Sequence, residues 1–312
     1  MVVPKNKLSL KHLSIAGAAA LATTALGLTV SEVRSQGNIV AIDGSSTVFP
    51  IAEAVAEEFQ QESDYNVTVG VSGSGGGFEK FCRGETDISN ASRPISEEEV
   101  QRCADNGIEY TEMRVAFDGI TVVVNPANDW AEAITVEELK TIWEPAAQGS
   151  VTNWNDVRSE WPDAQMSLFG PGSDSGTFDY FTEVIVGEEG ASRGDYTASE
   201  DDSVLVVGVE NDQNALGYFG YAYYVENQDG LKALGVDNGE GEPVKPSQQT
   251  IESGEYAPLS RPLFMYVSKS AMDKPQVTSY VNFFMDNAPD LVGEVGYVPL
   301  SQSAYEEQKI AN

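Results

Sequence analysis

Short β-branched runs alternate with amphipathic ones along this chain. Asn38–Ile42, Val67–Val71, Asp87–Ala91, Gly119–Asn125 and Leu263–Val267 read as strands, because their Val, Ile and aromatic content suits a pleated surface. Helical spacing marks Ile51–Gln61, Glu97–Asn106, Ile134–Trp143 and Lys274–Ala288. In the last of these, Val277, Tyr280, Val281, Phe284 and Met285 fall on one stripe, and Thr135 with Glu137 and Glu138 suits a helix start at the third. Met166–Phe169 leads into a further helix at Asp179–Val186, and Val204–Val209 reads as a strand beginning a second β/α unit. Gly217–Tyr224 is aromatic and glycine-spaced, a packed structural element rather than a carbohydrate platform. Strands alternating with helices predict an α/β fold, a largely parallel sheet with helices on both faces. Residues 235–249, rich in Gly, Pro and Glu, are expected to form an exposed loop. Asp237–Glu242 lacks the ligand spacing of a calcium loop, so no metal is expected there.

Three junctions between these runs share a grammar: Asp43-Gly-Ser-Ser-Thr-Val-Phe-Pro50, Val71-Ser-Gly-Ser-Gly-Gly-Gly-Phe78 and Gly170-Pro-Gly-Ser-Asp-Ser-Gly-Thr-Phe178. Each is a Ser-, Thr- or Gly-rich bend between a strand end and a helix start, the second predicted to open a helix at Phe78–Cys82. The first amides of a helix have no partner within it, and the positive end of the helix dipole favours a negative guest. Three such bends in one chain predict a single oxyanion cradle.

Composition sharpens this picture. The 312 residues are 41% hydrophobic, enough for a sizeable core, and carry a net charge of −31. Lys5, Lys7, Lys11 and His12 precede an apolar run from Leu13 to Val30, the pattern of a cleaved export signal over residues 1–35. A membrane anchor is the alternative, but the Ala, Gly and Thr content favours cleavage. Losing four cations and one carboxylate with that segment takes the charge from −31 to −34. Such acidity argues against nucleic acid and anionic membrane as partners. It does not argue against a buried anion, since surface charge is screened beyond ~8 Å at physiological ionic strength. Cys82 and Cys103 form an isolated pair in the exported part and are expected to be disulfide-bonded.

Most enzyme chemistries fail on inventory. The one histidine is His12, in the leader, so Ser–His–Asp, Cys–His and His-ligated metal sites are excluded from the mature chain. No cofactor is expected. Carboxylates are plentiful, but nothing localises a catalytic pair.

The chain resembles the phosphate-binding receptors of ABC importers. Gly44–Pro50, Ser72–Gly77, Ala91-Ser-Arg-Pro94, Phe117–Pro126 and Ser175–Phe178 carry the likeness, in family order over nearly the whole mature chain. The resemblance implies the two-lobed periplasmic-binding-protein (type II) fold, with mixed sheets and helices on both faces. Residues 36–118 and 266–312 would form one lobe and 119–265 the other, with crossings near Phe117–Asn125 and Arg261–Val267. It also implies phosphate ligands: Ser46, Thr47 and Val48 from the first turn, Ser74 from the second, and Ser175, Gly176 and Thr177 from the third. Two departures stand out. Pro171 occupies the place of a family Arg, and Ala91-Ser-Arg-Pro94 lacks the family's Asp. Arg93 is therefore expected to supply the cation, as a bidentate fork suited to a tetrahedral anion. Asp118, with Asp174 second, is the candidate acceptor for the proton that hydrogen phosphate keeps and sulfate lacks.

The expectation is an exported monomeric receptor that binds inorganic phosphate and delivers it to a membrane permease, breaking no bond. A receptor for sulfate, molybdate or a phosphonate is the first rival. A phosphatase of uncommon type is the second, and an adhesive exported protein with no small anion the third.

Overall fold

A computed structural model describes residues 38–173 and 175–311. The predicted leader and Asp174 lie outside the described residues. The chain begins β1 (Ile39–Gly44), α1 (Phe49–Glu62), β2 (Asn66–Val71), α2 (Gly73–Phe81), β3 (Ile88–Ala91), α3 (Glu97–Asp105) and a long β4 (Tyr110–Val124). It continues through β5 (Ala133–Thr135), α4 (Val136–Trp143), α5 (Trp154–Val157), β6 (Ser167–Pro171) and α6 (Gly176–Phe181), the last running into a π-helical turn at Thr182–Val186. Next come β7 (Thr197–Ser199), α7 (Asp202–Glu210), β8 (Ala215–Gly220), α8 (Tyr221–Glu226), β9 (Lys232–Ala233) and β10 (Gly235–Asp237). The chain closes with α9 (Gln248–Ser253), β11 (Ser260–Ser268), α10 (Lys269–Met272), α11 (Pro275–Glu294) and α12 (Gln302–Glu306).

One sheet runs β2-β1-β3-β11-β4-β8-β6-β7, with β9 also against β4. Its flanks are parallel, as the alternating pattern predicts, but the centre is antiparallel: β11 against β3 and β4, and β4 against β8. The sheet is therefore mixed. β4 is shared, because residues 110–119 pair with β11 whereas 120–124 pair with β8. The change of partner falls at Gly119–Ile120, inside the stretch where the sequence places a crossing. β11 pairs only with β3 and the first part of β4, while Leu259 just before it accepts from the Ile120 amide at 2.9 Å. Around one half, α1 and α11 meet through Phe59 and Tyr280, whose rings stand 5.4 Å apart edge to face. Trp143, Phe181 and Tyr218 pack under the other half, with Phe181 stacked on Tyr218 at 3.7 Å.

Several predicted elements are corrected. Val204–Val209 is not a strand but the middle of α7. Asp201 caps that helix by accepting from the Ser203 amide at 3.0 Å, and Leu205, Val206 and Val209 are buried while Val204 and Val207 face solvent. A β-branched run yields to a capped, one-sided helix when only one stripe has a core to meet. Helix α11 continues through Pro289, at which the sequence reading ends it, because Ala288 and Val292 keep the buried stripe going past the missing donor. Residues 235–249 are not loop throughout: Gly235–Asp237 pairs parallel with Ala133–Thr135, and Gly235 and Val236 are buried. The glycine run does not precede a helix at Phe78. It forms the first turns of α2 itself, starting at Gly73.

The reason is backbone proximity. A methyl on Gly77 would stand 2.6 Å from Gly44 Cα and 2.9 Å from Ser89 Oγ, and one on Gly44, at φ +148°, would collide with the Asn90 carbonyl oxygen. Helix α2 thus lies against β1 and β3 at a distance that only glycine permits. Lys80 of α2 clamps the contact through an ion pair with Asp43 of β1 at 2.6 Å, and Asp43 also accepts from Ser72 Oγ. Burial pushes the Asp43 carboxyl up, but Lys80 and Ser72 outweigh it and hold the group below its usual range. The Cys82–Cys103 disulfide, as expected, ties the end of α2 to α3. Among the described residues no helix is long and apolar enough to cross a membrane.

Gly77→Ala is expected to lower unfolding free energy by about 1–3 kcal/mol through overpacking. Urea denaturation measures it, and an unchanged midpoint would show that α2 can lift from β1 at no cost.

Candidate functional site

Local chain geometry brings the first two predicted turns to one hollow. β1 ends at Gly44, and the bend Ser45–Val48 leads into α1 with Pro50 in its first turn. Val48, the residue before the helix, offers no side-chain cap, and its side chain is wholly buried in the core. Among the described residues none accepts from the amides of Ser46, Thr47 or Val48. Helix α2 likewise starts without a side-chain cap, because the Ser72 hydroxyl is spent on Asp43. Two helix starts thus keep their orphan donors for another acceptor.

Ser46, Thr47, Ser74 and Arg93 line a single cleft of about 500 Å³. Ser74 Oγ lies 3.2 Å from Ser92 Oγ and accepts from the Ser92 amide at 3.1 Å, so this serine pair joins the second turn to the end of β3. The cleft is also lined by α6 and the segment just beyond its end, through Asp179, Tyr180, Glu183 and Glu189. Ser175, Gly176 and Thr177 do not line the cleft. They start α6 with the Ser175 hydroxyl accepting from the Thr177 amide at 3.2 Å, and a methyl on Gly176 would stand 2.9 Å from Thr47 Cα. The third turn therefore backs directly onto the first.

The sequence reading missed Arg261 as a site residue. This guanidinium enters the cleft from the start of β11. Its Nη2 donates to Thr47 Oγ1 at 3.1 Å, its Nε reaches Asp118 Oδ2 at 3.4 Å, and its plane covers the Tyr180 ring at 3.7 Å. Asp118 itself lies behind Arg261, buried and not on the cleft wall. Burial pushes its carboxyl above the usual range, opposed by the guanidinium. Nothing local marks it: its pairing with Asp118 spans 143 residues and is visible only in the folded chain. Asp174, the second acceptor candidate, lies outside the described residues.

Arg93 lines the cleft but is already engaged. Both fork nitrogens donate to Glu99, at 2.8 and 2.9 Å, and the side chain is half-exposed beside the Phe78 ring. Glu99 also closes the capping box of α3, accepting from the Ser96 amide at 2.9 Å. Burial pushes the Glu99 carboxyl up, but the Arg93 fork and Ser96 outweigh it and hold it below the usual carboxylate range. The cleft thus presents two cations, hydroxyls and uncapped helix starts together with three carboxylates, Asp179, Glu183 and Glu189. That is equipment for gripping an oxyanion that still carries a proton.

Residues 19–288 match the PBP superfamily domain. Protein SphX of Synechocystis sp. is 51% identical over 297 residues, spanning 95% of this chain and 88% of that protein. The phosphate-binding protein PstS of Staphylococcus saprophyticus is 39% identical over 271 residues, 86% of this chain and 82% of that one. The crystal structure of a possible phosphate binding protein from Planctomyces limnophilus aligns with a TM-score of 0.81 at 48% identity, covering 86% of this chain and 95% of that one.

A carboxyl whose pKa falls on folding stabilises the fold above its unfolded value, and that contribution disappears as pH drops through the lower folded value. Glu99→Gln is therefore expected to cost about 1–3 kcal/mol at neutral pH. The difference from the parent should shrink as pH falls below about 4.3, the unperturbed Glu value. Thermal melts across pH 7 to 3 test this, and a pH-independent difference would remove the ionic contribution.

Proposed function

The chain belongs to the PBP superfamily, and we propose that it is an exported receptor that captures inorganic phosphate in this cleft and delivers it to an ABC-type permease. The observation that carries the reading is the convergence of Arg261, Arg93 and two uncapped helix starts on one hollow. The PstS relative supports it, being named a phosphate-binding protein. The receptor works by binding alone, with no bond broken. Two lobes would close over the ligand about the change of partner along β4; the expected division at residues 118/119 and 265/266 moves its second boundary back to the start of β11, because Ser260–Ser268 pairs with β3 and the first part of β4.

Arg261 takes the part of the principal counter-ion, which the sequence reading assigns to Arg93. Its guanidinium is largely buried and pre-aimed by Asp118 and Thr47. Arg93, half-exposed and neutralised by Glu99, contributes a weaker field from the rim. Backbone amides of Ser46, Thr47 and Val48 and the hydroxyls of Thr47 and Ser74 complete the cradle, while Ser175, Gly176 and Thr177 hold the first turn in place and start α6 toward the guest. The proton of hydrogen phosphate is accepted by Asp179 rather than by Asp118. Asp179 stands on the cleft wall, where burial and the nearby Glu189 push its carboxyl up. An acceptor there rewards a protonated oxyanion and repels sulfate. A receptor for another oxyanion, such as sulfate, molybdate or a phosphonate, is the alternative.

Isothermal titration is expected to give phosphate binding at least a hundredfold tighter than sulfate binding, and equal affinities would overturn the phosphate reading. Arg261→Ala should weaken phosphate binding by about 2 kcal/mol or more, as truncating one partner of a buried charge pair does, with Arg93→Ala weakening it less. Asp179→Asn should narrow the gap between phosphate and sulfate. A full gap in that variant would return the acceptor role to Asp118.

A further inference from the structure

One carboxylate stands where an anion would bind. Glu183 Oε2 lies 3.7 Å from Arg261 Nη1, and its charge also acts on Arg93. Arg261 is only partly committed within the protein. Its Nε is turned to Asp118 and one Nη2 N–H to Thr47, which leaves both N–H groups of Nη1 and the second of Nη2 without a hydrogen-bond partner among the described residues. Glu183 faces Nη1.

The placement is built rather than incidental. Glu183 sits in the π-helical turn after α6, a local widening that re-aims side chains and recurs at functional sites. Its neighbour Thr182 is fully buried and fixes the turn. The Thr182 hydroxyl donates to the carbonyls of Phe178 and Asp179, at 2.9 and 3.0 Å, and accepts from the Gly190 amide at 2.8 Å. The Glu183 side chain itself is 55% exposed, so it can swing into solvent.

We propose that Glu183 is a tethered competitor for the bound oxyanion: its carboxylate neutralises Arg261 Nη1 before the ligand arrives and is displaced on binding. This rests on the oxyanion reading of the cleft. At 3.7 Å the contact is an ion pair without a hydrogen bond. A phosphate oxygen approaching to about 2.8 Å would make the charge-assisted hydrogen bond that Glu183 does not, and therefore wins Nη1. The displaced carboxylate stays close, beside Asp179 and Glu189 and opposite Arg93, with Asp118 behind Arg261. Its repulsion of the bound anion lowers affinity and speeds release, a useful property in a protein that must hand its ligand on.

The test is phosphate titration of the parent, Glu183→Gln and Glu188→Gln, with circular dichroism to confirm that each variant is folded. Glu188 is an exposed carboxylate close by in sequence and not on the cleft wall, so it controls for the loss of one negative charge. Glu183→Gln is expected to tighten phosphate binding about three- to tenfold and to slow dissociation, with Glu188→Gln changing it less than twofold. If the parent binds phosphate but Glu183→Gln binds equally or more weakly, the competitor role is overturned and the cleft reading stands. Equal tightening by both variants would reduce the effect to net charge and also overturn it. A parent that binds no phosphate overturns the cleft reading and the role of Glu183 together.

Discussion

The guanidinium of Arg261 is the point on which the cleft is organised. It touches the bend between β1 and α1 through Thr47, the shared strand β4 through Asp118, and the wall after β6 through Tyr180 and Glu183. A largely buried cation needs compensation, and Asp118 supplies it from behind. Stacking on Tyr180 limits the remaining freedom of the group, so the fork is aimed before any anion arrives. Preorganisation of this kind would let the proposed phosphate site bind well without a large contact area.

A second constraint works from the backbone. Helix α2 lies so close to β1 and β3 that Gly77 and Gly44 exclude any side chain. The closeness puts the start of α2, with Ser74, beside the bend that carries Ser46 and Thr47. Glycine here serves packing between elements more than turn formation, and that packing brings the uncapped start of α2 to the cleft.

The cleft mixes charges of both signs, and in the proposed function this mixture would make it selective rather than merely cationic. Two guanidinia alone would accept any dianion of the right size. Asp179, Glu183 and Glu189, which also line the cleft, would make full ionisation of a bound oxyanion unfavourable. The overall acidity of the chain does not interfere, because the counter-ions that matter are within a few ångströms and partly shielded from water.

Much of this was legible in order along the chain. The strand–bend–helix grammar at Gly44–Pro50 and Ser72–Gly77 depends on local rules, glycine freedom and orphan amides, which need no knowledge of distant residues; at Ser175–Phe178 the same grammar gives a helix start that Ser175 caps itself, away from the cleft. The cysteine pair was legible for the same kind of reason. Val204–Val209 was misread, because β-branched composition and a one-sided helix look alike until one knows which face meets a core. Pro289 misled in the same way, since only packing of Ala288 and Val292 carries α11 past it. Arg261 was out of reach: Thr47 is 214 residues away and Asp118 is 143, and no periodicity encodes a contact at that separation. Arg93 was read as the cation because its motif was visible, whereas its engagement by Glu99 was not. The sequence alone determined where Ser-, Thr- and Gly-rich bends lead into helices; the tertiary structure decided which of them open on the cleft and which cation stands beside them, because a buried charge is placed by whatever elements surround it, not by its neighbours in the chain.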